Sequence, residues 1–112
     1  MHEYNVPTLR DQGSDLAHCP PEKLEDLAAL LDEVRAWEGV VEKSFACFYL
    51  KSQGFLHFHV KGDDRWADAR CGKEWGASIP IKLGASKSDK QKFLKTLRQY
   101  YAETVDARKR KA

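Results

Sequence analysis

From Glu22 onward the apolar residues recur at helical spacing. Leu24, Leu27, Leu31, Val34 and Trp37 fall on one stripe, which predicts an amphipathic helix. Pro20-Pro21 stands where a helix can start, and Glu22, Glu25 and Asp26 crowd the first turn, where the helix dipole favours acids. Gly39 is placed to end the helix in a left-handed conformation. The pattern then changes to strands. Ser44–Leu50, Phe55–Val60 and Arg65–Cys71 are separated by Lys51-Ser-Gln-Gly54 and Lys61-Gly-Asp-Asp64, both Gly-containing hairpin connections.

Turn length sets the expected register. Leu50 opposite Phe55 places Phe45, Cys47 and Tyr49 across from Val60, Phe58 and Leu56. Val60 opposite Arg65 places Leu56, Phe58 and Val60 beside Ala69, Ala67 and Arg65. Both registers give one almost wholly apolar face, as a core requires. Lys73-Glu-Trp-Gly76 reads as a turn. Ser78–Leu83 supplies a short fourth strand that Pro80 confines to an edge. A final helix starts near Ser86 or Ser88, with Ser88-Asp-Lys-Gln91 matching a capping box. Its buried stripe is Phe93, Leu94, Leu97, Tyr100, Tyr101 and Val105. The fold class expected is α+β: a helix, a three- or four-stranded antiparallel meander and a C-terminal helix, both helices on one sheet face. Residues 1–19 read as a loosely ordered arm, 20–107 as the domain and 108–112 as a frayed basic tail.

The same register assigns the opposite face. It collects Ala46, Phe48, Phe55, His57, His59, Trp66, Asp68 and Arg70, with His57 between Phe48 and Asp68, and His59 between Ala46 and Trp66. A surface so rich in aromatic and titratable groups suits a ligand pocket or a partner interface. Phe48, His57, His59, Trp66, Asp68 and Arg70 are therefore the candidate ligand-binding residues. Three readings of His57 and His59 compete. Histidines at i and i+2 on a strand project the same way, and Asp68 adds a third metal-type ligand. His57 beside Asp68 also resembles a general base with its orienting carboxylate, although no nucleophile has a recognisable setting. In the third reading both are half-buried polar residues stacked on Phe48 and Trp66, with a second copy of the chain or the N-terminal arm as cover. A non-enzymatic ligand- or protein-binding module is the expected function, with no cofactor and no assigned metal. A small metal-dependent or acid–base enzyme centred on His57, His59 and Asp68 is the alternative.

Composition narrows these choices. At 112 residues the chain suits one core. No apolar run approaches the roughly 20 residues of a membrane span, and Met1-His-Glu-Tyr4 does not open a signal peptide. Three cysteines, Cys19, Cys47 and Cys71, lack a CxxC spacing, which favours reduced thiols and a cytoplasmic setting. The net charge of +2 hides an asymmetry: residues 82–112 hold ten Lys/Arg against three acids. Lys87, Lys90, Lys95 and Arg98 on the last helix thus present a third possibility, contact with nucleic-acid phosphates. No RNP, KH, zinc-finger or helix-turn-helix pattern accompanies them.

Phe55-Leu-His-Phe-His59, followed by Ala67-Asp-x-Arg70 and a C-terminal helix, resembles a family of small bacterial proteins described as hypothetical. The resemblance spans about residues 25–101 and implies the element order above, with no activity assigned. An acidic residue often follows the second histidine in that family, whereas Val60 stands there in this chain.

Overall fold

The computed structural model describes residues 19–111, so the N-terminal arm lies, but for Cys19, outside the described residues. Two 3-10 turns, Pro21–Lys23 and Glu25–Leu27, lead into helix α1, Ala28–Arg35. The N–H groups of Lys23 and Leu24 reach back three residues to the carbonyls of Pro20 and Pro21, a tighter winding than the α-helix expected from Glu22. The stripe survives because Leu24, Leu27 and Leu30 are three apart, a spacing that keeps one face in either helix type. All three are buried with Leu31 and Val34. Gly39 is left-handed as expected, at φ 83°, but it lies in the Trp37–Val40 turn rather than at the helix end, since α1 stops at Arg35 with Ala36 as its cap.

Among the described residues the sheet is antiparallel and has six strands: β1 Val40–Ser44, β2 Cys47–Leu50, β3 Gln53–Lys61, β4 Asp64–Cys71, β5 Glu74–Trp75 and β6 Ile79–Pro80. β1 to β4 form a meander, and β5 and β6 both pair with β4. The β3–β4 register is the one derived from the sequence, with Val60 opposite Arg65, His59 opposite Trp66 and His57 opposite Asp68. Pro80 sits on β6 beside Trp66.

The expected strand Ser44–Leu50 is shortened to β2, and a strand not expected, β1, precedes it. Ser44 pairs with Cys47, so Phe45-Ala46 is a two-residue turn with Ala46 at φ 60°. Left-handed backbone at a non-glycine residue costs roughly 1–2 kcal/mol. Two features offset it. The Ala46 methyl is buried, and its N–H donates to Glu42 Oε2 at 2.7 Å. Glu42 in turn accepts from Arg35 Nε at 2.7 Å and Nη2 at 3.0 Å, tying α1 to the hairpin. The guanidinium holds the Glu42 carboxyl below the usual carboxylate range.

The β2–β3 register differs from expectation by two residues at the turn and by one beyond the bulge. The turn is Lys51-Ser52, with Leu50 opposite Gln53 and Tyr49 opposite Gly54; Phe48 then faces Leu56, with Phe55 as the extra residue of a bulge. A one-residue slip reverses the faces of a strand. Phe48 and Leu50 therefore turn to the core, while Cys47 and Tyr49 alternate to the other side. Phe55 is also fully buried, with Tyr101 edge-on 6.0 Å from it.

Helix α2 spans Lys87–Lys111, including the stretch expected to fray. Its capping box is Ser86 with Asp89: the Asp89 N–H donates to Ser86 Oγ at 3.0 Å and the Ser86 N–H to Asp89 Oδ2 at 3.3 Å. Aspartate replaces the Glu or Gln of the usual box, which is why the match at Ser88–Gln91 misplaced it. Phe93 and Leu97 join the cluster of Phe48, Leu56, Phe58, Ala67 and Ala69, with Phe58 stacked on Phe93.

Two polar residues are buried with this core. Arg65 donates from Nε to the Ile81 carbonyl, from Nη1 to the Lys23 carbonyl and Asp26 Oδ1, and from Nη2 to Asp26 Oδ2 and the Lys82 carbonyl, all within 2.6–2.9 Å. Thr104 Oγ1 accepts the Gly72 N–H at 3.0 Å and lies 2.9 Å from the Arg70 carbonyl, joining α2 to the β4–β5 turn. Among the described residues no helix is long and apolar enough to cross a membrane.

Candidate functional site

The face opposite Leu56, Phe58, Ala67 and Ala69 is built from alternate residues of β3 and β4. His57 and His59 come from β3, and Trp66, Asp68 and Arg70 from β4. All five are half-buried. Phe48 is absent from this group: it is 1% exposed and belongs to the core, because the bulge at Phe55 reverses β2.

Trp75 occupies the space beside His57 instead. β5 pairs Trp75 with Arg70, so the indole falls on the same face and meets the His57 ring edge-on at 5.0 Å. Arg70 fixes it there. Its guanidinium carbon lies 4.8 Å over the indole, while Nε donates to the Gly54 carbonyl at 2.8 Å and Nη1 to the Lys73 carbonyl at 3.0 Å. Arg70 therefore acts as a clamp on Trp75. The signal for this tryptophan was present: Gly72-Lys73 between Cys71 and Glu74 is a two-residue turn, which puts Trp75 opposite Arg70.

On the other flank Trp66 stacks on His59, with centroids 5.5 Å apart and 26° between planes. The two histidine rings meet at 4.6 Å. Nε2 of His59 lies 3.0 Å from Asp68 Oδ2, and Ser78 Oγ donates to Asp68 Oδ1 at 2.8 Å. His57 stands directly across the ladder from Asp68, as expected. The carboxylate also reaches the diagonal residue His59, a separation that long side chains span. His59 and Ser78 hold the Asp68 carboxyl below the usual carboxylate range, so the site carries a carboxylate at neutral pH. One nitrogen of each histidine and one oxygen of Asp68 lie within 4.8 Å of one another. Among the described residues this is the one cluster of three metal-type donors.

The remaining candidate features lie elsewhere. Ser78 gives its proton to Asp68 rather than to a histidine, so it is not arranged as an activated nucleophile. On α2, Arg98 pairs with Glu33, Arg110 with Asp106, and Arg108 donates to Gln53 Oε1. Part of the basic charge is thus engaged within the chain. A cleft of about 480 Å³ runs beside α1, lined by Pro21, Leu24, Leu31, Arg35 and Phe45. Of its charged members Glu22, Glu25, Asp32 and Arg35, Arg35 is bonded to Glu42 and Asp32. Comparison with known proteins finds no family model, no curated protein and no solved structure that matches this chain.

Proposed function

We propose that this protein is a non-enzymatic binding module that recognises its ligand on the face formed by His57, His59, Trp66, Asp68 and Trp75, with both helices packed against the opposite face. The observation that carries this reading is the flanking of two histidines and a carboxylate by two tryptophans, all on one side of β3 and β4. Apolar walls around a few convergent polar groups are the usual make-up of a small-molecule site. The cleft beside α1 also carries charged side chains, Glu22, Glu25, Asp32 and Arg35, but among the described residues no histidines converge with a carboxylate there. The shared apolar cluster, which holds Leu31 and Val34 of α1, Phe93 and Leu97 of α2 and Leu56, Phe58, Ala67 and Ala69 of the sheet, supports helix packing on the other side.

The test is a heteronuclear NMR titration of metal-free protein with a panel of aromatic, carboxylate and amine fragments. Shifts are expected to gather at the His57 and His59 rings and at the Trp66 and Trp75 indoles, and to disappear in Trp75→Ala. Shifts that gather instead around Leu24, Leu31 and Phe45, or binding untouched by Trp75→Ala, would refute this reading.

A further inference from the structure

The donor set narrows what this face takes. We infer that His57, His59 and Asp68 form a binding site for a divalent transition cation of the zinc, nickel and copper class. The inference rests on the binding face proposed above and names its ligand.

Three aspects of the geometry support it. First, the donors are the right kind. Two imidazole nitrogens and one carboxylate oxygen suit borderline metals, whereas calcium and magnesium seek six or more oxygens. Second, the spacing is close to that of a formed site. Ligand bonds of about 2.0–2.1 Å in a tetrahedron place donors about 3.3 Å apart. His59 Nε2 and Asp68 Oδ2 are already at 3.0 Å, and all three donors lie within 4.8 Å of one another. Closing the widest gap takes at most about 1.5 Å, within the reach of small side-chain rotations. Third, the ligands have an outer shell. Ser78 Oγ holds Asp68 Oδ1 and leaves Oδ2 directed at His59. Trp66 lies flat against the His59 ring and Trp75 meets the His57 ring. Such outer partners fix ligand orientation and tune affinity. Three protein ligands leave a coordination position for water or a ligand atom, the arrangement of open rather than closed metal sites.

The experiment is a calorimetric titration of the metal-free full chain with zinc chloride, with magnesium and calcium chloride as controls and excess reductant holding the cysteines as thiols. One equivalent of zinc is expected to bind at micromolar concentration, with no heat from magnesium or calcium. His57→Ala, His59→Ala and Asp68→Asn should each abolish the saturable phase. Ser78→Ala should weaken it by about 10- to 100-fold, as loss of an outer partner does. The double variant His2→Gln/His18→Gln, which removes the chain's other histidines, should bind as the parent does. Circular dichroism of each variant separates loss of the site from loss of the fold, and Asp68→Asn conserves shape in case a histidine variant fails to fold. Absence of saturable zinc binding overturns the inference, as does binding that survives in the three ligand variants or vanishes with His2 and His18. If zinc does not bind and fragments still gather at Trp66 and Trp75, the cation inference alone falls. If neither zinc nor fragments bind there, the binding-face reading falls with it.

Discussion

Arg65 lends itself to the most quantitative prediction. Its side chain is fully buried and all five N–H groups are used, two on Asp26 and three on the carbonyls of Lys23, Ile81 and Lys82. Arg65→Met keeps much of the volume and removes every donor. Breaking a buried ion pair from one side costs about 3–5 kcal/mol, because the abandoned partner stays desolvated. Asp26 is 29% exposed, so water recovers part of its loss, which argues for the lower part of that range. The three stranded carbonyls act the other way, at about 1–3 kcal/mol for each that stays dry. A net cost of about 3 kcal/mol is a large share of the 5–15 kcal/mol typical of a domain. At about 4–8 °C per kcal/mol for this size, Tm should fall by at least about 12 °C. Asp26→Asn should cost less, and the double variant should fall short of the sum, since both changes remove one interaction. The guanidinium holds the Asp26 carboxyl below its ordinary value, and this adds a pH signature. A depressed folded-state pKa stabilises at pH above the unfolded value of about 3.9 and is lost as pH falls through the folded value. The parent should therefore lose Tm steeply below about pH 5, and Arg65→Met should lose less over that window. Thermal melts followed by circular dichroism from pH 3 to 8 measure both effects. A Tm loss under about 5 °C at neutral pH, or single-variant losses that simply add, would refute this account of Arg65.

Two further substitutions test how α2 secures the sheet edge that carries Trp75. Thr104→Val conserves shape but strips the Gly72 N–H and the Arg70 carbonyl of their shared hydroxyl. The cost should be about 1–3 kcal/mol by urea unfolding with an unchanged m-value, accompanied by a shift of the His57 ring signals as Trp75 loosens; unaltered stability would contradict this account. Gly76→Ala would set a Cβ 2.5 Å from Tyr100 Cε2 and 3.0 Å from Cys71 Cβ. It should destabilise by about 1–3 kcal/mol in the same assay and be partly rescued by Tyr100→Leu, whereas a neutral Gly76→Ala would show that the ring moves freely.

Much of the site was legible because β3 and β4 alternate without interruption. Leu56, Phe58 and Val60 on β3 and Ala67 and Ala69 on β4 recur at every second residue, Arg65 being the exception, and the Gly62-Asp63 turn joins the strands in the expected register. His57, His59, Trp66, Asp68 and Arg70 on one face then follow from the period of two. Legibility ended where the chain departs from that period. The bulge at Phe55 places two successive apolar residues on the core side, and nothing in Phe55-Leu56 marks it beyond their being adjacent. Phe48 was assigned to the wrong face for that reason alone. The Phe45-Ala46 turn was equally hidden, because it lacks the Gly or Asn that usually takes a left-handed backbone.

By itself, then, the sequence determined the α+β class, the stripes of both helices and the β3–β4 register, since each depends on periodicities within a few residues. The tertiary structure decided what depends on distant partners. Arg65 is an oddity on an apolar strand face until Asp26 and Lys23, 39 and 42 residues away in sequence, supply its acceptors. Ala46 is an implausible turn residue until Glu42, held by Arg35, accepts its N–H. Trp75 joins the histidine face only when β5 pairs with β4 and Arg70 closes over the indole. For Arg65 and Ala46 the local cost is offset by hydrogen bonds that exist only after the chain has folded, so no pattern of neighbouring residues encodes them; for Trp75 the local turn signals the pairing, and the ring contacts complete it.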